Sequence, residues 1–214
     1  MKISYGLTVC NEDKELENLI TYLKDFTTGE DEIVIVYDQN RVTDEVKQIL
    51  QKYKDNHISY PFDFKQNYLD LKNYLNSKCN GDYIFQLDAD EIPEEHLIKN
   101  LKTILETNPV DLLMTPRKNL VKGLTQKHIQ EWRWNVNEKG WVNWPDTQKR
   151  IYRNNPNIKW TGHQVHGMVS GFETYAVLPL EENWSIIHNK TIDRQESQNE
   201  RYAKIETGEL KLNG

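Results

Sequence analysis

The first half of the chain alternates between short apolar runs and longer amphipathic segments. The run at 33–37 is continuously apolar, which is typical of a strand covered on both faces in a parallel sheet. Between such runs, apolar residues recur at helical spacing, as at Leu16, Leu19, Ile20 and Leu23. The resulting order, β-α-β-α-β-α-β-α, predicts βαβ units and a mostly parallel, doubly wound α/β sheet.

The second half is predicted to be richer in strands, separated by Asn and Pro turns, with a polar helix over 193–210 at its end. Because no repeat or low-complexity linker interrupts the sequence, we expect one domain over 1–214. Its 1–110 half has the alternating pattern of a nucleotide-binding unit, and its 111–214 half is a second, strand-rich part. The pattern is equally compatible with one domain of a longer protein.

Composition and charge exclude several classes of protein. With 37% hydrophobic and 28% charged residues, the chain is expected to be a soluble globule. A net charge of -6 argues against a general nucleic-acid binder. Cys10 and Cys79 are too few for a disulfide framework or a zinc site. Because neither a signal peptide nor a membrane span is predicted, we expect a cytoplasmic location.

Polar groups follow three of the predicted strands, at Thr8–Glu12, Asp38–Asn40 and Asp88–Glu91. Open α/β sheets bind ligands at the carboxyl ends of their strands, so these groups are predicted to share a crevice. Asp88 and Asp90, two residues apart, can meet one divalent cation directly or through its waters, since hard cations prefer oxygen ligands. The alternative is an acidic turn that caps the following helix.

Several segments, in their order along the chain, resemble the GT-A glycosyltransferases of family 2, and within it a subgroup near the lipopolysaccharide-core glucosyltransferases. The resemblance extends over roughly residues 3–205 and includes the D-x-D triplet at Asp88. The segments that carry it are LTVCNEDKELENLITYL, IVIVYDQN, LDLKNYLNSKCNGDYIFQLDADE, DTQKRIYRNNPNIKWTGHQVHG and IIHNKT.

The resemblance implies a GT-A fold, with a mostly parallel sheet and a smaller antiparallel part on the acceptor side. It implies transfer of a hexose from a nucleotide sugar, in particular a UDP-linked one, to a saccharide acceptor, with Mn²⁺ or Mg²⁺ as cofactor.

The resemblance also implies site residues in three groups. Those expected at the nucleotide sugar are Thr8, Val9, Asp38, Lys72, Asp88 and Ala89. Those expected at the metal are Asp88, Asp90 and His188, and those expected at the donor or acceptor sugar are Arg150 and Trp160.

Two positions depart from the family pattern. Lys72 stands where the family has arginine, so the positive charge is kept and the bidentate fork is lost. Gly167 stands where the subgroup has a glutamate that is a candidate base. An inverting transfer needs a base within reach of the acceptor hydroxyl, and the candidates are then Asp146 first and His166 second. An inverting reaction is favoured, and a retaining one stays open.

The prediction for the histidines depends on strand geometry. If the segment is a strand, His163 and His166 point to opposite faces, so at most one of them faces the site.

Two other functions remain open from the sequence. One is a degenerate glycosyltransferase-like module that binds a nucleotide sugar or carbohydrate without turnover. The other is a sugar-phosphate nucleotidyltransferase, which would need a glycine-rich basic loop after the first strand, whereas residues 8–15 are acidic and lack glycine. Four tryptophans would either stack on an acceptor sugar or fill the core beneath a loop, namely Trp132, Trp134, Trp141 and Trp144.

Overall fold

The computed structural model describes residues 1–209, so the predicted helix end at Leu210 lies outside the described residues. The strands are β1 (Ile3–Val9), β2 (Glu32–Asp38), β3 (Ile58–Phe62), β4 (Tyr83–Asp88), β5 (Glu91–Pro93), β6 (Leu112–Lys122), β7 (Val142–Arg153), β8 (Lys159–Gly162), β9 (Gly167–Ser170), β10 (Tyr175–Val177) and β11 (Ile186–Thr191). The α-helices are α1 (Asp13–Phe26), α2 (Asp44–Lys52), α3 (Tyr68–Lys78), α4 (Glu95–Thr107), α5 (Gln126–Trp132) and α6 (Ile192–Glu206).

One large sheet organises the chain, in the order β3-β2-β1-β4-β7-β6-β11-β5, with β10 paired beside β6. Strands β3, β2, β1 and β4 are parallel. Strand β7 is antiparallel to both of its neighbours, and β5 is antiparallel to β11. Strands β8 and β9 form a separate antiparallel pair. The mostly parallel sheet with a smaller antiparallel part is therefore confirmed.

The apolar pattern of the first half explains why the sheet is covered on both faces. Ile33 and Ile35 of β2 pack in the same core cluster as the buried leucines of α1. Val34 and Val36, which point the other way, pack with the buried leucines of α3. A continuously apolar strand is thus buried on both sides, as its sequence predicts. The hydroxyl of Thr43 caps α2 by accepting from the Val46 amide, at 3.4 Å.

The strand order creates a crevice beside β1. Strands β2 and β3 follow on one side of β1 and β4 lies on the other, so the direction of the connections reverses between β1 and β4. In open α/β sheets this reversal opens a ligand-binding crevice at the carboxyl ends of the strands. The polar ends of β1, β2 and β4 meet there, as predicted.

Three local features differ from the expectations. Residues 163–166 form bends between β8 and β9, so the strand alternation expected for His163 and His166 is wrong. The two rings lie face to face, with centroids 6.1 Å apart. Helix α5 was not anticipated, and Pro93 lies in β5, ahead of α4.

Among the described helices, none combines the length and the apolar composition needed to cross a bilayer.

Candidate active site

A cavity of about 1020 Å³ lies at the carboxyl ends of β1, β2 and β4. It is lined by every residue predicted to contact the nucleotide sugar, namely Thr8, Val9, Asp38, Lys72, Asp88 and Ala89. Asp90 and His188, predicted at the metal, line it too, as do Asp146 and Trp160. The sheet therefore gathers residues from distant parts of the sequence around one space.

The carboxylate of Glu91 forms the base of this site. Its side chain has no exposed surface, and its Oε1 accepts hydrogen bonds from Arg117 Nη1 and Arg150 Nη2, both at 2.7 Å. Its Oε2 accepts from the backbone amide of Asp88, at 3.1 Å. A buried charge requires such partners, because desolvation is otherwise costly. Glu91 of β5 thus connects to three other strands, β4, β6 and β7, beneath the cavity.

Asp88 is held at the top of β4 by Arg150. Arg150 Nη2 donates to Asp88 Oδ2 at 2.6 Å, and the Thr8 hydroxyl donates to Oδ1 at 3.3 Å. Burial would raise the pKa of Asp88, but the Arg150 charge, with help from Lys72, holds that pKa well below its usual range. Asp88 is therefore a fixed anion whose charge is already compensated. Arg150, predicted at the sugar, is almost fully buried beneath it.

Asp146 is surrounded by hydrogen-bond donors. Its Oδ2 accepts from Arg117 Nε and Nη2 at 2.9 and 2.7 Å and from Asn119 Nδ2 at 2.9 Å. Its Oδ1 accepts from Gln148 Nε2 at 2.7 Å. Burial opposes ionisation, but the Arg117 charge and these bonds hold the pKa of Asp146 below its ordinary value. The carboxylate is therefore ionised at neutral pH and positioned rigidly.

Asp90 and His188 approach each other across the pairing of β5 with β11. His188 Nε2 lies 3.5 Å from Asp90 Oδ2. The Asn119 amide nitrogen donates to Asp146 and to the Val142 carbonyl, so its oxygen faces His188 Nδ1 at 2.8 Å. Nδ1 then donates to the Asn119 oxygen, and Nε2 faces the Asp90 carboxylate.

That arrangement fits a divalent cation. A carboxylate oxygen and an imidazole nitrogen that face each other can bind one cation between them, with the oxygen as the donor that hard cations such as Mn²⁺ and Mg²⁺ prefer. Within residues 1–209, no three His, Cys, Asp or Glu side chains are grouped closely enough to hold a metal ion by themselves. Substrate phosphates and waters commonly complete the shell of such cations.

Lys72 and Trp160 contact each other in the wall of the cavity. Lys72 Nζ lies 4.0 Å from the centroid of the Trp160 ring, and Trp160 Nε1 donates to the Tyr152 hydroxyl at 3.2 Å. Burial lowers the pKa of Lys72 to about 8, although the nearby charge of Asp88 opposes that shift. Lys72 is therefore a cation whose charge is sensitive to pH near neutrality.

The other predicted residues occupy different surroundings. Asp38 is buried and binds the Arg41 side chain and the Asn40 amide. The side chain of His166 is 64% exposed, and its Nε2 lies 3.2 Å from Glu206 Oε1. Val165 and Gly167 line the cavity, but His166 does not.

The structure also gives a reason for Gly167. A Cβ at this position would lie 2.0 Å from Leu69 Cδ2, so Leu69 occupies the space that a longer side chain would need.

The tryptophans divide between core and cavity. Trp134 is partly exposed and lines the cavity, with its ring 4.8 Å from that of Trp132. Trp141 is buried and packs edge-on against Trp144.

Sequence reasoning missed Arg117, Asn119 and the role of Glu91. Arg117 and Asn119 lie two residues apart on one strand, and this polar pair within β6 was the signal available in the sequence. Glu91 was grouped with the strand-end acids, whereas it is buried beneath them.

Comparison with known proteins places the chain in a family. A family model described as glycosyl transferase family 2 matches residues 4–183. The chain belongs to glycosyl transferase family 2. No curated protein sequence matched it.

Solved structures show that this family 2 chain has the GT-A fold, as predicted. S. aureus TarS 1–349 is 17% identical, with a TM-score of 0.60, over 88% of this chain and 60% of that one. The same TarS fragment in complex with UDP-GlcNAc is 18% identical, with a TM-score of 0.61, over 89% and 59%. Longer S. aureus TarS matches all of this chain and 40% of its own length, at 19% identity and a TM-score of 0.59. The chain thus spans about 60% of the TarS 1–349 fragment.

Replacing Glu91 by glutamine is expected to destabilise the fold strongly. The change leaves the two buried guanidiniums of Arg117 and Arg150 without their shared anion, so the free energy of unfolding should fall by about 3–5 kcal/mol. Glu95→Gln is the matched control, because Glu95 pairs with Lys99 on the exposed face of α4 and should leave stability nearly unchanged. Chemical denaturation measures both, and equal stability of the two variants would contradict the assigned role of Glu91.

Proposed function

We propose that this family 2 chain transfers a hexose from a nucleotide sugar, in particular a UDP-linked one, to a saccharide acceptor in a metal-dependent, inverting reaction. The observation that carries the proposal is the facing pair of Asp90 and His188 at the edge of a cavity that gathers all the predicted nucleotide-sugar residues. The complex of TarS with UDP-GlcNAc, a protein of the same fold, supports the choice of a UDP-linked donor.

Asp90 and His188 would hold the divalent cation, with Asp88 close by but engaged by Arg150. The chemistry that a bound cation supplies is Lewis-acid stabilisation of the negative charge that grows on the departing diphosphate.

The other residues of the cavity would bind and orient the donor. Thr8, Val9 and Asp38 at the ends of β1 and β2 would contact the nucleoside, together with Ala89. Lys72 would contribute positive charge toward the diphosphate. Trp160, whose ring packs against Lys72, would bound the space for the sugar.

Asp146 is our choice for the base that accepts the proton of the acceptor hydroxyl. Its carboxylate is ionised, lines the cavity and is oriented by Arg117. His166 is the second choice, because its ring is exposed and engaged with Glu206. Trp134, which lines the same cavity as Asp146, is available for stacking on an acceptor sugar.

We further propose that residues 1–214 act as one GT-A domain, with the donor held by the 1–110 half and the acceptor by the 111–214 half. Among family 2 members, the motifs at 146–167 and 186–191 favour the subgroup near lipopolysaccharide-core glucosyltransferases. The second candidate is a binding module without turnover, favoured by the glycine at position 167 and its contact with Leu69.

Asp90→Asn is expected to abolish metal-dependent nucleotide binding. In thermal-shift and calorimetric measurements, UDP should bind the unaltered protein more tightly with Mn²⁺ than without it. The variant should lose that gain, at a cost of about tenfold or more in Kd, which corresponds to about 1.4 kcal/mol. Asp55→Asn, at an exposed position away from the cavity, is the control. Unchanged Mn²⁺-dependent binding in Asp90→Asn would refute the metal assignment, and binding without hydrolysis of any UDP-sugar would favour the binding module.

The affinity for UDP is expected to fall as the pH rises through about 8. Free Lys72 loses its proton near that pH, whereas a bound diphosphate favours the charged form, so binding weakens above the free pKa by at most about tenfold per pH unit. Calorimetry with Mg²⁺ between about pH 6.5 and 9.5 measures the effect. Lys72→Arg should remove the dependence, because a guanidinium stays charged. The same slope in the arginine variant would show that another group is responsible.

A further inference from the structure

Helix α6 lies over the cavity and presents Arg194 to it. Arg194 Nη2 is 2.6 Å from Glu12 Oε1 and 3.8 Å from Asp90 Oδ2, while Nη1 is 3.3 Å from Glu15 Oε1. Farther along the same helix, Arg201 also lines the cavity. The N-terminal turn of α6 is thus bound, through Arg194, to Glu12 and Asp90, which line the cavity.

Glu12 makes this attachment rigid. Its Oε2 accepts hydrogen bonds from the amides of Cys10 and Asn11, at 2.7 and 3.0 Å, so its position is set by the turn that follows β1. Arg194 therefore connects three parts of the site, which are the β1–α1 turn, the D-x-D triplet and α6.

The contacts that hold α6 are mostly polar. Helix α6 lies wholly within residues 1–209, and Ile205 is its one buried residue. The helix is otherwise held by contacts such as Arg194 with Glu12, Arg201 with Gln66 at 2.8 Å, and Tyr202 against the Tyr68 ring.

Arg194 supplies positive charge to Asp90 in the protein without ligand. The Arg194 guanidinium lies 3.8 Å from the Asp90 carboxylate, so its positive charge is next to the proposed metal ligand. A cation bound by Asp90 would be repelled by the guanidinium at this distance. A diphosphate in the same cavity would attract it, because a guanidinium binds phosphate oxygens in bidentate fashion.

We propose that Arg194 is a positioning residue that exchanges Asp90 for the donor diphosphate. While the cavity is empty of donor, Arg194 is anchored by Glu12 at 2.6 Å and its guanidinium also lies 3.8 Å from Asp90. When Asp90 binds the cation, the Arg194 guanidinium turns from Asp90 to the diphosphate, beneath the helix α6 that already covers the cavity. The proposal rests on the proposed function, since it requires a nucleoside diphosphate and a cation in this cavity.

The test compares two affinities that the proposal moves in opposite directions. In Arg194→Gln, the affinity for Mn²⁺ alone, measured by electron paramagnetic resonance, should rise by roughly 2- to 5-fold because a competing charge is removed. The affinity for UDP at saturating Mn²⁺ should fall by about 10- to 100-fold because a charged hydrogen bond is lost. Arg153→Gln, which breaks an ion pair with Asp111 outside the cavity, should change neither.

A purely structural role for Arg194 would weaken both affinities together. An Arg194→Gln variant whose Mn²⁺ affinity does not rise, or whose UDP affinity does not fall, overturns the exchange while leaving the proposed function intact. If the unaltered protein shows no Mn²⁺-dependent UDP binding, the proposed function fails, and this inference fails with it.

Discussion

The arrangement of the site depends on one buried anion, the carboxylate of Glu91. Arg117 and Arg150 lie on the neighbouring strands β6 and β7, where two guanidiniums would repel each other. Glu91 lies between them and accepts a hydrogen bond from each. Their remaining donors then hold Asp146 and Asp88 in fixed positions. One carboxylate beneath the cavity therefore orients two others at its surface.

This network gives the strand-end acids that follow β4 three different environments. Glu91 is buried and fully engaged, and Asp88 is neutralised by Arg150. Asp90 has more distant neighbours, His188 Nε2 at 3.5 Å and Arg194 Nη2 at 3.8 Å. A carboxylate that is not closely paired is the one best able to accept a new cation. The acidic run at the end of an apolar strand is thus divided between a structural role for Glu91 and the ligand-binding role that we propose for Asp90.

The fold could be predicted because its signals are local. The apolar residues of β2 and the leucines of α1 indicate which faces are buried, and the polar residues at the strand ends indicate where the crevice lies. The environments of the acids could not be predicted in the same way. Arg117, Arg150 and Glu91 are far apart in sequence. They meet only because the fold brings the side chains of β5, β6 and β7 to one place. The histidine loop was misassigned because Gly162, with φ of +102°, ends β8 and turns the chain before His163.

The most direct test of the account is the location of the metal. A crystal soaked with MnCl₂ and UDP can be measured at the manganese absorption edge, where anomalous scattering reveals the ion. We expect one strong peak between Asp90 and His188, with the diphosphate of UDP next to it inside the cavity. A nucleotide bound elsewhere, or one bound in the cavity with no manganese at Asp90, would contradict it.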